Sequence, residues 1–255
     1  MKFENVFVKK PAPTMVEGIS TANLGKPNYK KALKQHENYI KAMKKCGVNI
    51  KVLEADSQFP DSVFVEDPAV LTEKCAIITN PGAESRRDEK IKMKKILKEY
   101  FPEKIHEIKS PGTLEGGDVM QVEDHFYIGL SNRTNREGAE QLVEYLERYS
   151  YSASIVEFEG ILHLKTGISY IGDNTMVAID LLSNKAEFDD YKIINISDDE
   201  AYAANCIRVN DYVIVPEGFE KSKKALEKEG FKTINVDVSE FRKIDGGLSC
   251  LSLRF

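Results

Sequence analysis

An α/β fold assembled from repeated units is what this sequence predicts, on three observations. Short β-like segments alternate with amphipathic helical runs, no Gly/Ser-rich linker divides the chain, and polar clusters recur at a nearly constant spacing. The clusters are Val65-Glu66-Asp67, Glu115-Gly116-Gly117-Asp118, His163-Leu164-Lys165, Ala204-Asn205-Cys206 and Gly246-Gly247-Leu248-Ser249-Cys250. Taking Glu66, Glu115, His163, Asn205 and Cys250 as markers, the intervals are 49, 48, 42 and 45 residues. Such a period fits a solenoid, a propeller or a ring, and five units would account for all 255 residues. In a closed ring, equivalent clusters from each unit would converge on the axis. One α/β domain of another topology is the alternative. Either way, residues 1–255 are read as a single domain.

The elements follow in order. Asn5–Val8 reads as a strand. From Tyr29 to Cys46, Leu33, Ile40 and Met43 recur at helical spacing, and Gly47 supplies the stop. Ile50–Leu53 and Ala76–Thr79 read as strands. A second helical run, Arg86 to Tyr100, places Ile91, Ile96, Leu97 and Tyr100 at helical spacing and ends before Pro102. Phe126–Ile128 is the next strand. Thr134-Asn135-Arg136-Glu137 has capping-box spacing, with Ala139, Leu142, Val143 and Leu146 following on one face. After the strand Met176–Ile179, Ser197-Asp198-Asp199-Glu200 repeats the cap signature before a short helix. Tyr212–Val215 and Thr233–Val236 read as strands around a helix from Glu220 to Gly230.

Composition excludes several classes. With 36 Lys+Arg against 41 Asp+Glu, the formal charge is −5, so nothing draws the chain toward nucleic acid or an anionic membrane. No apolar run approaches the ~20 residues of a membrane span, and the N-terminus lacks the apolar core of a signal peptide. Cys46, Cys75, Cys206 and Cys250 form no CxxC pair, which argues against a disulfide framework or a zinc ribbon. The expectation is a cytoplasmic globular protein with neither nucleic acid nor membrane as partner.

Chemistry concentrates in the polar clusters. Cys250 follows Asp245-Gly246-Gly247-Leu248-Ser249, where glycines and an acid replace the alternating apolar residues of a core strand. A cysteine nucleophile needs a base. His36, His106 and His125 sit among charged or turn residues and read as solvated, whereas His163 lies between Leu162 and Leu164 and reads as partly buried. Among the acids, Asp61, Glu66 and Asp67 lie beside Phe64, Val65, Ala69 and Val70, and carboxylates rarely enter such places unpaired. Glu115 and Asp118 either join them or end a plain solvated turn. Converging carboxylates suit a guanidinium, which pairs with them bidentately. No HExxH and no Asp-rich calcium loop is present, so no metal is expected.

Read together, Asp61-Ser62-Val63-Phe64-Val65-Glu66-Asp67, Pro81-Gly82-Ala83-Glu84-Ser85-Arg86, Glu115-Gly116-Gly117-Asp118, Arg133-Thr134-Asn135, His163-Leu164-Lys165-Thr166, Ala203-Ala204-Asn205-Cys206 and Asp245-Gly246-Gly247-Leu248-Ser249-Cys250 resemble the dimethylarginine dimethylaminohydrolases in their compact bacterial form. The resemblance covers essentially the whole chain. It implies a five-fold pseudosymmetric α/β propeller of ββαβ units that hydrolyses Nω-methylated arginine to citrulline and a methylamine. It implies Cys250 as nucleophile, His163 as proton donor and acceptor, and Glu115 as the acid that orients His163. Glu66 and Asp67 would hold the guanidinium, and Arg86 and Arg133 the α-carboxylate. Asp61 and the main chain of Ile244 would take the α-amino group, with Ile19 as a lid contact. A small-molecule substrate, no cofactor and, by analogy, a homodimer are implied as well. The alternatives are an arginine deiminase on the same scaffold and a non-catalytic guanidino-ligand-binding protein.

Overall fold

In the computed structural model, residues 2–255 are described. They group into two compact units: the chain up to Val65 together with Gly167–Arg254, and Glu66–Thr166 with Phe255. Five three-stranded sheets are distributed between them, and all five follow one plan. A central strand pairs antiparallel with one neighbour and parallel with the other. The parallel neighbour always follows a helical crossover, because parallel strands cannot be joined by a tight hairpin.

The first unit holds three sheets. Their central strands are Asn5–Lys9, Thr175–Ile179 and Tyr212–Pro216, and their parallel partners are Asn49–Leu53, Lys192–Ile196 and Lys232–Val236. Leu253–Arg254 supplies the antiparallel edge beside Asn5–Lys9, in the register Val6↔Arg254. In the hairpin between Ile168–Gly172 and Thr175–Ile179, Asp173 and Asn174 both have positive φ, which a two-residue turn of this hand demands. The second unit holds the sheets centred on Ala76–Ile78 and His125–Leu130. Its core packs Ala139, Leu142 and Leu146 of the helix Arg136–Glu147 with Phe126, Ile128 and Val119.

Every strand predicted from sequence is present, within about two residues at either end. The unpredicted ones include Ala69–Leu71, Ile105–Glu107, Ser152–Glu157 and Ile207–Val209. The helices hold corrections. Helix Tyr29–Lys45 buries Ala32, Gln35, His36, Tyr39, Ala42 and Met43, leaving Leu33 and Ile40 only partly covered. His36 is therefore a core residue, 3% exposed, and not a solvated one. The second run begins with a 3-10 turn at Glu84–Arg86, its α-helix is Glu89–Leu97, and Ile91 faces outward at 63% exposure. Helix Arg136–Glu147 is capped by Asn135, whose side chain accepts from the Gly138 N–H, so the capping-box reading is one residue early. Asp198–Ala204 is a 3-10 turn.

Candidate active site

The sequence-predicted residues divide between the two units. Ile19, Asp61, Ile244 and Cys250 belong to the first; Glu66, Asp67, Arg86, Glu115, Arg133 and His163 belong to the second.

In the second unit, Glu115-Gly116-Gly117-Asp118 is a buried 3-10 turn, not a solvated one. Its glycines permit two close approaches. A Cβ on Gly116 would lie 2.1 Å from the Glu66 carbonyl oxygen, and one on Gly117 would lie 2.7 Å from Nδ1 of His163. The imidazole rests on this backbone and donates from Nε2 to Oε2 of Glu115 at 2.8 Å. Glu115 Oε1 accepts from the Ala83 N–H at 3.0 Å and lies 3.9 Å from Nη1 of Arg133. Asp118 accepts from the Ser131 and Thr134 hydroxyls and from the Leu164 N–H. That last bond fixes the turn carrying His163.

These acids set the charge of the imidazole. Burial lowers the pKa of His163, but the charge of Asp118, the hydrogen bond His163 donates to Glu115 and the charge of Asp67 outweigh it, and the pKa is pushed up to about 9. His163 is an imidazolium at neutral pH. Burial alone would raise Asp67, yet Arg86 and His163 hold it below the usual carboxylate range. Arg86 is itself buried. It donates from Nη1 to Asp67 and grips Glu89 through Nε and Nη2 at 2.9 and 3.0 Å, a two-point contact with an acid that periodicity alone did not single out. Glu66 pairs with Lys165 at 2.5 Å. One ligand atom each from Asp67, Glu115 and His163 lie within 4.8 Å of one another, the spacing of a possible cation site. Asp67 and Glu115 already accept from internal N–H and cationic groups, which suits them better to holding the imidazolium.

In the first unit, Cys250 lies in the 3-10 turn Ser249–Leu251 and is 9% exposed. The Gly247 N–H lies 3.4 Å from its Sγ as a donor. The glycines before it serve packing against the protein itself: a Cβ on Gly246 would strike the Phe64 ring, and one on Gly247 the Asn205 amide. Asn205 accepts from the Ser249 N–H and donates to its hydroxyl. Tyr39 donates to the Leu248 carbonyl at 2.9 Å, and Tyr202 to that of Gly246 at 2.7 Å. The turn is thus held on several sides by partners distant in sequence. Asp61 accepts from the Ile19 N–H at 3.0 Å, while Ser20 donates to the Lys243 carbonyl and Thr21 to Asp245. A Cβ on Gly18 would meet both Asp61 and Ile244, so these predicted residues do come together. Burial pushes the Cys46 thiol up to about 11 and that of Cys206 to about 12, and raises Cys75 as well. All four cysteines are free. Among the described residues, no helix is long and apolar enough to cross a membrane.

Residues 20–252 match the family described as N,N dimethylarginine dimethylhydrolase, eukaryotic. The N(G),N(G)-dimethylarginine dimethylaminohydrolase of Pseudomonas aeruginosa is 49% identical over 99% of this chain and 100% of its own. That of Streptomyces coelicolor is 30% identical, over 100% and 98% respectively. The solved structure of a cysteine-to-serine variant of the Pseudomonas aeruginosa enzyme, complexed with citrulline, matches with a TM-score of 0.99 over all of both chains. The N-terminal domain of ArgZ, a cyanobacterial arginine dihydrolase, shares the fold alone, at 19% identity and a TM-score of 0.89 over 98% of this chain and 97% of that one. The five sheets are those of the five-fold pseudosymmetric α/β propeller, and the chain belongs to the dimethylarginine dimethylaminohydrolase family.

Proposed function

We propose that the protein hydrolyses Nω-methylated arginine to citrulline and a methylamine, with residues 1–255 working as one catalytic domain. The full-length, 49% likeness to the Pseudomonas aeruginosa enzyme carries this reading. The buried His163–Glu115 pair supports it from the chemistry.

The Cys250 thiolate, its proton already given up to solvent, attacks the guanidinium carbon and forms a C–S bond. The bond from that carbon to the methylated nitrogen then breaks, and the His163 imidazolium gives its proton to the departing amine. The product of this half is a thiouronium on Cys250. Water attacks the same carbon, the neutral imidazole takes its proton, and the C–S bond breaks to release citrulline. Glu115 keeps the ring oriented and favours its charged form, as an acid does in other nucleophile–base–acid sets. Glu66 and Asp67 offset the charge of the guanidinium. Arg133, 20% exposed at its side chain, and Arg86 bind the α-carboxylate, and Asp61 with the Ile244 carbonyl takes the α-amino group beside Ile19. Four free cysteines suit a reducing compartment and support a cytoplasmic setting.

Citrulline release from asymmetric dimethylarginine, monomethylarginine and arginine, assayed separately, tests the reading. Turnover of the methylated substrates with little of arginine is expected. Turnover of arginine alone would select the deiminase, and none at all a binding role.

A further inference from the structure

We infer that Lys165 is a positioning residue for this reaction, its ammonium fixing the Glu66 carboxylate in place for the substrate guanidinium. The inference rests on the functional reading above.

Lys165 lies in the helical turn Leu164–Gly167, directly after His163. A lysine on so short a turn ordinarily lets its ammonium reach water. Here Nζ is withdrawn to 2.5 Å from Oε1 of Glu66, with the two side chains only 13% and 5% exposed. Ordering a lysine stem and desolvating two ions is unfavourable unless the geometry returns something. What it returns is registry. Three segments of this unit are tied pairwise: Asp67 accepts from the Gly117 N–H, Asp118 accepts from the Leu164 N–H, and Glu66 accepts from Lys165. The third tie joins the Glu66 carboxylate to the same turn that carries the imidazole. It spans 99 residues of sequence.

The neighbouring acid follows the same pattern, since Arg86 secures Asp67. Each of two consecutive carboxylates therefore has an internal cation. Of the about four lone-pair sites an ionised carboxylate offers, a compact ammonium takes one where a bidentate guanidinium takes two. An unfixed Glu66 side chain would have to be ordered when substrate binds, at the expense of affinity.

Kinetics with asymmetric dimethylarginine test this. Lys165→Met should raise KM about tenfold or more while kcat stays within about threefold, and Lys165→Arg should hold KM within about threefold. In a Glu66→Gln background the Lys165→Met change should alter KM less than about twofold, because the inferred effect on substrate binding runs through that carboxylate. Unchanged or lower KM in Lys165→Met, or its full effect persisting in Glu66→Gln, would overturn the inference. Should Lys165→Met not fold, Glu66→Gln and Glu66→Gln/Lys165→Met are compared instead, since the double change removes both charges of the pair. Equal KM supports the inference and unequal KM overturns it. A wild type with no turnover overturns the functional reading and this inference with it; an active wild type with an unaffected variant overturns the inference alone.

Discussion

His163 Nε2 and Glu115 Oε2 lie 2.8 Å apart, with the two side chains 10% and 2% exposed. A hydrogen bond so sheltered is strengthened by the low local dielectric, and it would be costly if either partner were left alone. It joins residues 48 positions apart in sequence, from two of the recurring polar clusters.

This pair predicts a pH profile. On the proposed mechanism the imidazolium protonates the departing amine, so kcat/KM should fall as pH rises through about 9. Glu115→Gln removes a charge that favours the imidazolium, and the alkaline limb should move toward neutrality. His163→Gln should bind substrate almost normally and lose ~10²–10⁴-fold in kcat. Near-normal turnover of a folded His163→Gln protein would remove His163 from the mechanism.

Arg86 and Arg133 should separate in their effects. Arg86→Ala strands Asp67 and Glu89 without their buried cation, and breaking such a pair costs about 3–5 kcal/mol. Arg133 is more accessible, so Arg133→Ala should leave thermal stability nearly intact while raising KM. Arg133→Lys should not restore KM, because an ammonium lacks the planar pair of donors. Melting temperatures and KM measured side by side decide this. A large stability loss in Arg133→Ala with unchanged KM would refute its place at the carboxylate.

The fold was legible in the sequence where local chemistry determines structure. Central strands such as Tyr212–Pro216 are buried and apolar, and their residues show it as a continuous apolar run. The missed strands are short or carry no alternation; Ile105–Glu107 has three half-buried residues and Ser152–Glu157 is mostly half-exposed. Their partners, not their residues, make them strands. The site divides in the same way. The Glu115 and His163 clusters were visible through their spacing and composition. Asn205 and Lys165 stood in the recurring clusters, but their contacts, like those of Tyr39, Tyr202 and Glu89, were not readable, because each acts on a partner that only the tertiary fold supplies.

His36 makes a separate prediction about stability. Its Nε2 has no hydrogen-bond partner among the described residues, and burial lowers its pKa from 6.5 to about 4. Between those values the unfolded chain binds more protons than the folded one, so stability falls as pH drops from 6.5 toward 4. The loss amounts to about 3 kcal/mol once both states are protonated. His163 works in the opposite sense, its contribution being full below pH 6.5 and lost as pH rises through about 9. Urea unfolding of wild type and His36→Leu at pH 4.5 and 7.5 isolates the first effect. The variant should lose less stability on acidification; parallel losses would contradict the assignment.

Thiol reactivity distinguishes Cys250 from the other three cysteines. A cationic haloamidine should be drawn to the carboxylates proposed to receive a guanidinium, whereas neutral iodoacetamide gains nothing from them. The amidine should label Cys250 far faster than iodoacetamide does, with activity falling in step. Cys46, Cys75 and Cys206, all with raised thiol pKa values, should be slow toward both. Peptide mapping after partial inactivation reads the outcome, and labelling spread over those three would count against Cys250.

The covalent intermediate itself is the most direct test. Wild-type protein turning over asymmetric dimethylarginine is quenched in acid within the first turnovers, digested and mapped by mass spectrometry. A thiouronium adduct should appear on the peptide carrying Cys250, be absent from Cys250→Ser, and accompany one dimethylamine released per citrulline formed. Undiminished turnover in Cys250→Ser, or an adduct on any other residue, would contradict the account.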